Sequence, residues 1–255
     1  MEIKSSWITP REAAEALRNG DGEGVRIAIV DTGINPRHPK LKSLNLLGQW
    51  STLNEFGAEE MEPAYDSSMQ GSLGGGHGTT VAGIFHNIAP LAEVLSIRVL
   101  DAANTTRSKS TNDGVRIAMK HQAKIINCSF GCRKEHGSKL IFPFKEWVDN
   151  AYLGETVVVA AAASYTQWPA QFTSVLSVTY NPDSERQAVY RPGEMVQFAA
   201  PGDNRVMESA SRQLAPSYAA PVITGLVARL LGRYPHLSCP LIEELLRRAL
   251  PLALG

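Results

Sequence analysis

Three short stretches carry side chains suited to nucleophilic catalysis. Ser217 stands in A-P-S-Y-A-A-P, at the head of an apolar helical pattern. There the free N-terminal amides and the positive end of the helix dipole face any oxyanion formed beside it. His77 sits in G-G-G-H-G-T-T-V-A-G-I-F. Its flanking glycines let a substrate backbone approach, and a second helical pattern begins just behind it. Asp31 ends V-R-I-A-I-V-D and is followed by a Thr32-Gly33 turn. Each residue also has a plain structural use: a helix-capping serine, a core histidine, a carboxylate accepting from turn amides. In the order Asp, His, Ser they make one of the chain orders known for a nucleophile, its base and the base's orienting carboxylate. The chemistry of such a set is acyl transfer.

The elements that must position these groups alternate along the chain. T-P-R-E-A-A-E-A-L-R-N-G reads as a helix with Thr9 as N-cap, Pro10 at the first helical position, Glu12 completing a capping box and Gly20 as the stop. Buried-strand runs lie at 25–31, 93–100, 123–130, 156–163, 174–180 and 195–200. Helical patterns lie between or after them, at about 112–121, 139–153, 217–233 and 239–250. Strand and helix in repetition predict an α/β fold, a mostly parallel sheet with helices on both faces. Reactive residues of such a sheet collect at the carboxyl ends of its strands, where Asp31 falls. With no internal repeat and no long linker, residues 1–255 are expected to form one domain. The polar, glycine-rich stretch 41–76 is expected to be a flexible surface loop within it.

Composition excludes several function classes. Twenty-five basic and 25 acidic side chains leave a formal net charge of zero, so nothing in the overall charge favours a nucleic-acid partner. The R-S-K-S at 107–110 reads as a solvated loop. No apolar run reaches the length of a membrane span, and M-E-I-K-S-S-W-I-T-P-R lacks the apolar core of a secretory signal. Cys128, Cys132 and Cys239 lack metal-ligand spacing and read as small buried thiols of a reducing compartment. The expected location is cytoplasmic.

The strings themselves carry a family resemblance. V-R-I-A-I-V-D-T-G-I-N-P-R-H-P resembles the aspartate motif of the subtilases, H-G-T-T-V-A-G their histidine motif and P-S-Y-A-A-P their serine motif. I-I-N-C-S-F-G is similar to the family's substrate-binding strand, and V-V-V-A-A-A-A-S to the strand leading to its oxyanion-hole residue. The likeness runs in the family's order from about Trp7 to the last helix. It implies a subtilisin-like three-layer fold and a serine endopeptidase working through an acyl-enzyme. Ser217 would attack the peptide carbonyl, His77 would carry the proton, and Asp31 would hold the imidazole. The backbone of Ser129, Phe130 and Gly131 would pair with an extended peptide or protein substrate. Ala160 to Ala163, with Ala161, Ala162 and Ala163 as substrate-binding residues, would line one wall of the pocket for the side chain before the scissile bond. Small walls there leave room for a sizeable apolar group.

Departures from the family pattern bear on activity. Ser164 stands where the family usually has an asparagine that donates to the oxyanion, so the hole is altered and rests on Ser164 and the Ser217 backbone. Ala215-Pro216-Ser217 replaces the usual Gly-Thr-Ser, and Pro216 pushes Ala215 toward extended backbone. Thr166 or Gln167 folding back is one way to restore a donor. Lys40 follows His38-Pro39 where a tight calcium site of the family needs oxygen ligands, and no loop interrupts the run after His77. No metal and no other cofactor are expected. About 30 residues precede Asp31, which suits an intracellular type of member without a prodomain.

Three other readings are set against this one. Ser129 in N-C-S-F-G is a weak nucleophile-elbow candidate, lacking the first glycine and a following apolar helix. A degenerate member would bind a peptide strand without cutting it. A slow enzyme with a dry site would pass the acyl group to an amine rather than to water.

Overall fold

The structure, a computed structural model, describes residues 7–53, 59–60, 76–101, 103–133, 138–163, 167–181, 187–207 and 212–254. Among them the chain runs α1 (Pro10–Asn19), β1 (Arg26–Asp31), β2 (Asn45–Ser51), β3 (Glu59–Glu60), α2 (His77–His86), β4 (Glu93–Arg98) and α3 (Ser108–Lys120). It continues through β5 (Ile125–Cys128), β6 (Cys132–Arg133), α4 (Ser138–Leu153), β7 (Val157–Ala161), β8 (Gln167–Trp168) and β9 (Val175–Tyr180). β10 (Val189–Tyr190), β11 (Phe198–Ala200), α5 (Pro216–Arg233) and α6 (Cys239–Leu254) complete it.

The capping box forms as the sequence predicts. Thr9 Oγ1 accepts from the Glu12 amide at 3.2 Å, and the Glu12 carboxylate accepts from the Thr9 amide at 2.8 Å. Such a cap contributes about 1 kcal/mol to a helix start. Ala13, Ala14, Ala16 and Leu17 of α1 are buried in the core it shares with α5 and α6.

Nine strands form one sheet in the order β10-β11-β9-β7-β5-β1-β4-β2-β3. Pairings inside it are parallel, and antiparallel neighbours occur only at the two edges. From β1 the chain passes to one side for β2 and β4, then through α3 to the other side for β5. The carboxyl end of β1 therefore lies where the strand order reverses, the place at which an open α/β sheet leaves a crevice. Asp31 is the last residue of that strand.

Strand parity sorts the core into two. Ile27 and Ile29 of β1 and Ile125 of β5 pack with α1, α2, α5 and α6, whereas Ala28, Val30 and Ile126 pack with α3 and α4. Alternate residues of a strand face opposite ways, so Asp31 and Asn127 point to the α2–α5 side. This parity, more than any single contact, selects the layer in which a strand-end carboxylate meets His77.

One expectation fails. Within 41–76, expected to be a loop, Asn45–Ser51 form β2, paired in parallel with β4. Its Asn, Gln and Ser residues and a register shift at Leu46/Gly48 hide the strand pattern. Gly48 is needed there, because a Cβ would lie 2.4 Å from the Trp50 ring. Residues 54–58 and 61–75 lie outside the described residues.

Candidate active site

Asp31 is completely buried, and its Oδ1 accepts from the Thr32 amide at 2.7 Å. His77, the first residue of α2, places Nδ1 2.8 Å from Asp31 Oδ1 and 3.0 Å from Oδ2. A carboxylate only accepts, so Nδ1 carries the ring proton and donates, leaving Nε2 as the basic nitrogen. Burial opposes the imidazolium, but the adjacent Asp31 charge and its hydrogen bond outweigh burial, so His77 titrates above its ordinary value.

The local sequence explains why α2 comes so close. A Cβ on Gly78 would lie 2.5 Å from the Gly33 carbonyl and 3.2 Å from the Asp31 carboxylate, so only glycine allows the approach. The Gly78 amide donates to Thr32 Oγ1 at 3.0 Å, and Thr79 Oγ1 accepts from the Asn35 amide at 2.9 Å. These bonds clamp the start of α2 to the turn after β1. Gly33 serves the turn itself, with φ of +89°.

Ser217 is the second residue of α5 and is half-buried. Ala215 before it is extended, φ −153° and ψ 153°, as a residue preceding proline prefers. The Ala215 amide donates to the Gly202 carbonyl at 3.0 Å, which anchors the entry to the helix. Pro221 lies inside α5 and has no N–H to return to the Ser217 carbonyl four residues back. Tyr218, next to Ser217, lays its ring on His77 with centroids 5.5 Å apart and donates its hydroxyl to Gln213 Oε1 at 3.0 Å. That contact brings the head of α5 to the imidazole. Tyr218 has no signal in the sequence beyond its place after Ser217, because the stacking joins two elements far apart in the chain.

The substrate-binding candidates divide. Ser129 is buried, and its Oγ accepts from Asn127 Nδ2 at 2.9 Å, while Asn127 Oδ1 accepts from Thr224 Oγ1 at 2.8 Å. This chain of bonds ties β5 to α5 beneath the site. The Ser129 hydroxyl is thus committed within the core, and β6 rather than a helix follows it, which weighs against the nucleophile-elbow reading. Phe130 is half-buried against the α3–α4 core and Gly131 is exposed. Ala161 and Ala162 are buried on opposite sides of the sheet, and the Ala162 amide donates to Val178. Ala163 is half-buried, and its amide donates to Gln167 Oε1 at 2.6 Å. Gln167 therefore folds back, with its amide held on Ala163. Ser164 and Thr166 lie outside the described residues.

Residues 22–251 match the model of the subtilase family. The chain belongs to this family.

It is thereby a subtilisin-like member of a serine-peptidase family. Thermitase of Thermoactinomyces vulgaris is 29% identical over 206 residues, covering 75% of this chain and 67% of thermitase. The major intracellular serine protease of Bacillus subtilis is 26% identical, covering 91% of this chain and 77% of that protein. The chain spans 37% of the length of another relative, the minor extracellular protease Epr of Bacillus subtilis, at 26% identity. Among solved structures, a lanthipeptide protease superposes with a TM-score of 0.71 at 20% identity, covering 92% of this chain and 83% of that one. Fervidolysin from Fervidobacterium pennivorans gives 0.69 at 24% identity, covering 93% and 41%. At those identities the likeness is one of fold, and it is the subtilisin-like α/β fold. No helix among the described residues is long and apolar enough to cross a membrane.

Proposed function

We propose that Asp31, His77 and Ser217 form the catalytic triad of a serine endopeptidase that cleaves an extended peptide or protein strand through an acyl-enzyme. The bond between His77 and the buried Asp31, with α5 docked on the same imidazole, carries this reading. Ser217 Oγ attacks the peptide carbonyl while His77 Nε2 takes its proton. The same imidazolium then protonates the leaving amine, and water repeats the sequence in reverse to free the acid. Asp31 holds the tautomer and stabilises the imidazolium. Backbone of Ser129, Phe130 and Gly131 supplies a strand for the substrate to pair with.

Oxyanion stabilisation falls to the Ser217 amide at the head of α5 and to Ser164, a shorter donor than the family's asparagine. Turnover is accordingly slow or confined to a well-fitted substrate. A tight calcium beside the aspartate motif does not fit this chain. Lys40 stands in the short helical turn Pro39–Leu41, where its amide donates to His38 Nδ1, and its side chain offers no oxygen ligand. Cytoplasmic location remains the reading, supported by the likeness to the major intracellular protease.

Labelling with a serine-directed phosphonate tests the triad. The wild type takes up the label, Ser217→Ala does not, and Ser129→Ala still does. Cleavage of a peptide library that disappears in Ser217→Ala separates a peptidase from a strand-binding relative. Product masses separate hydrolysis from acyl transfer, since ligated or cyclic products lack the added water.

A further inference from the structure

β5 and β7 are neighbours, with Cys128 opposite Ala160. Beyond them the chain continues as Ser129–Gly131 on one side and Ala162–Ala163 on the other. In the peptidase reading these segments are the two walls between which the side chain preceding the scissile bond is held. Their small residues alone would leave a deep apolar slot.

Gln167 lies between the walls. Its Oε1 accepts from the Ala163 amide at 2.6 Å. Its other amide atoms lie against the opposite wall: a Cβ built on Gly131 would be 3.1 Å from Gln167 Nε2 and 3.2 Å from Cδ. Gly131 thus leaves room for the contact, and a methyl group there would press on the amide. The placement has a second support, because β8 begins at Gln167 and pairs antiparallel with β6, setting Arg133 opposite Gln167 and Cys132 opposite Trp168. That two-stranded sheet fixes the backbone from which the glutamine reaches across.

We infer that the Gln167 side chain closes the pocket for the residue preceding the scissile bond, giving it a shallow, amide-floored form that accepts glycine, alanine or serine and excludes large apolar groups. This rests on the peptidase reading and differs from the roomy apolar pocket that the small wall residues suggest. Seating a phenylalanine or leucine would require breaking the part-buried Gln167–Ala163 bond and parting its donor from its acceptor.

The test uses purified chain and peptides identical except for Ala, Ser, Leu, Phe or Lys before the cleaved bond, read as kcat/KM. Wild type is expected to prefer Ala and Ser. Gln167→Gly is expected to raise the Phe-to-Ala ratio by about tenfold or more, the scale that added methylenes reach in a pocket. Gln167→Glu keeps the length and the acceptor for the Ala163 amide but adds a charge, and it is expected to raise the Lys-to-Ala ratio instead. Phosphonate labelling of each variant reports an assembled site, and Gln167→Glu carries the test where Gln167→Gly does not label. Ser217-dependent cleavage with a wild-type preference for Phe or Leu, or with ratios unmoved in a labelled variant, overturns this inference and leaves the peptidase reading standing. Absence of any Ser217-dependent cleavage overturns both.

Discussion

The imidazole of His77 sits 2.8 Å from a carboxylate, Asp31, that has no exposure to solvent. A buried anion with one mobile partner is a strong organiser: it sets which nitrogen carries the proton and which is free to act as base. Replacing the anion by an amide keeps the shape and removes the charge. Asp31→Asn is expected to lower kcat by roughly 10⁴-fold at neutral pH, with KM little changed. Steady-state kinetics on the best library peptide checks this; a loss of less than tenfold would remove Asp31 from the triad.

The same pair makes activity and one part of stability respond to pH in opposite senses. Burial disfavours the imidazolium, yet Asp31 prevails and His77 titrates above 6.5. Because the base must be neutral, kcat/KM should fall with acidification through an inflection above 6.5. For stability the native pKa exceeds the unfolded one, so the native state holds the proton more tightly. The stabilising contribution is complete below the unfolded value and is lost as pH rises through the native value. Thermal midpoints of wild type and His77→Gln across this range should converge at high pH and separate at low pH. An acid inflection in kcat/KM below 6.5 would contradict the assignment.

Gly78 is the contact point between α2 and the turn after β1. A methyl group there would press on the Gly33 carbonyl, which is backbone and cannot rotate away. Gly78→Ala is expected to destabilise the fold by about 1–3 kcal/mol, as overpacking does. It should also lower kcat more than Asp31–His77 geometry-neutral changes on the far side of α2. Denaturant midpoints and phosphonate labelling rates measure both effects.

Ser164 offers a gain rather than a loss. One well-placed oxyanion donor accounts for about 10²–10³-fold in turnover, so Ser164→Asn should raise kcat, with an upper bound in that range. KM should move little, since the donor acts mainly on the transition state. An unchanged kcat would mean that the hole is completed by another group.

Much of this molecule is written in its local strings. The apolar run before Asp31 and the Thr9–Glu12 cap specify a buried strand and a helix start within a few residues of their observed bounds. The settings of Asp31, His77 and Ser217 mark the proposed chemistry, because glycine around His77 frees the backbone and proline before Ser217 restricts it wherever they occur. β2 escapes such reading, since its polar residues and bulge at Leu46/Gly48 break the alternation that marks a strand. Other features depend on which segments meet. The Tyr218 ring on His77, the Thr224–Asn127–Ser129 chain of bonds and the Gln167 amide between Ala163 and Gly131 each join residues from different elements. Propensity and periodicity act over a turn or a strand and are visible in order along the chain. Side-chain contact across a sheet depends on strand order and parity, which are set when the whole core packs. The residues proposed to cleave peptides are therefore marked locally, while the shape proposed to select a substrate is a property of the assembled fold.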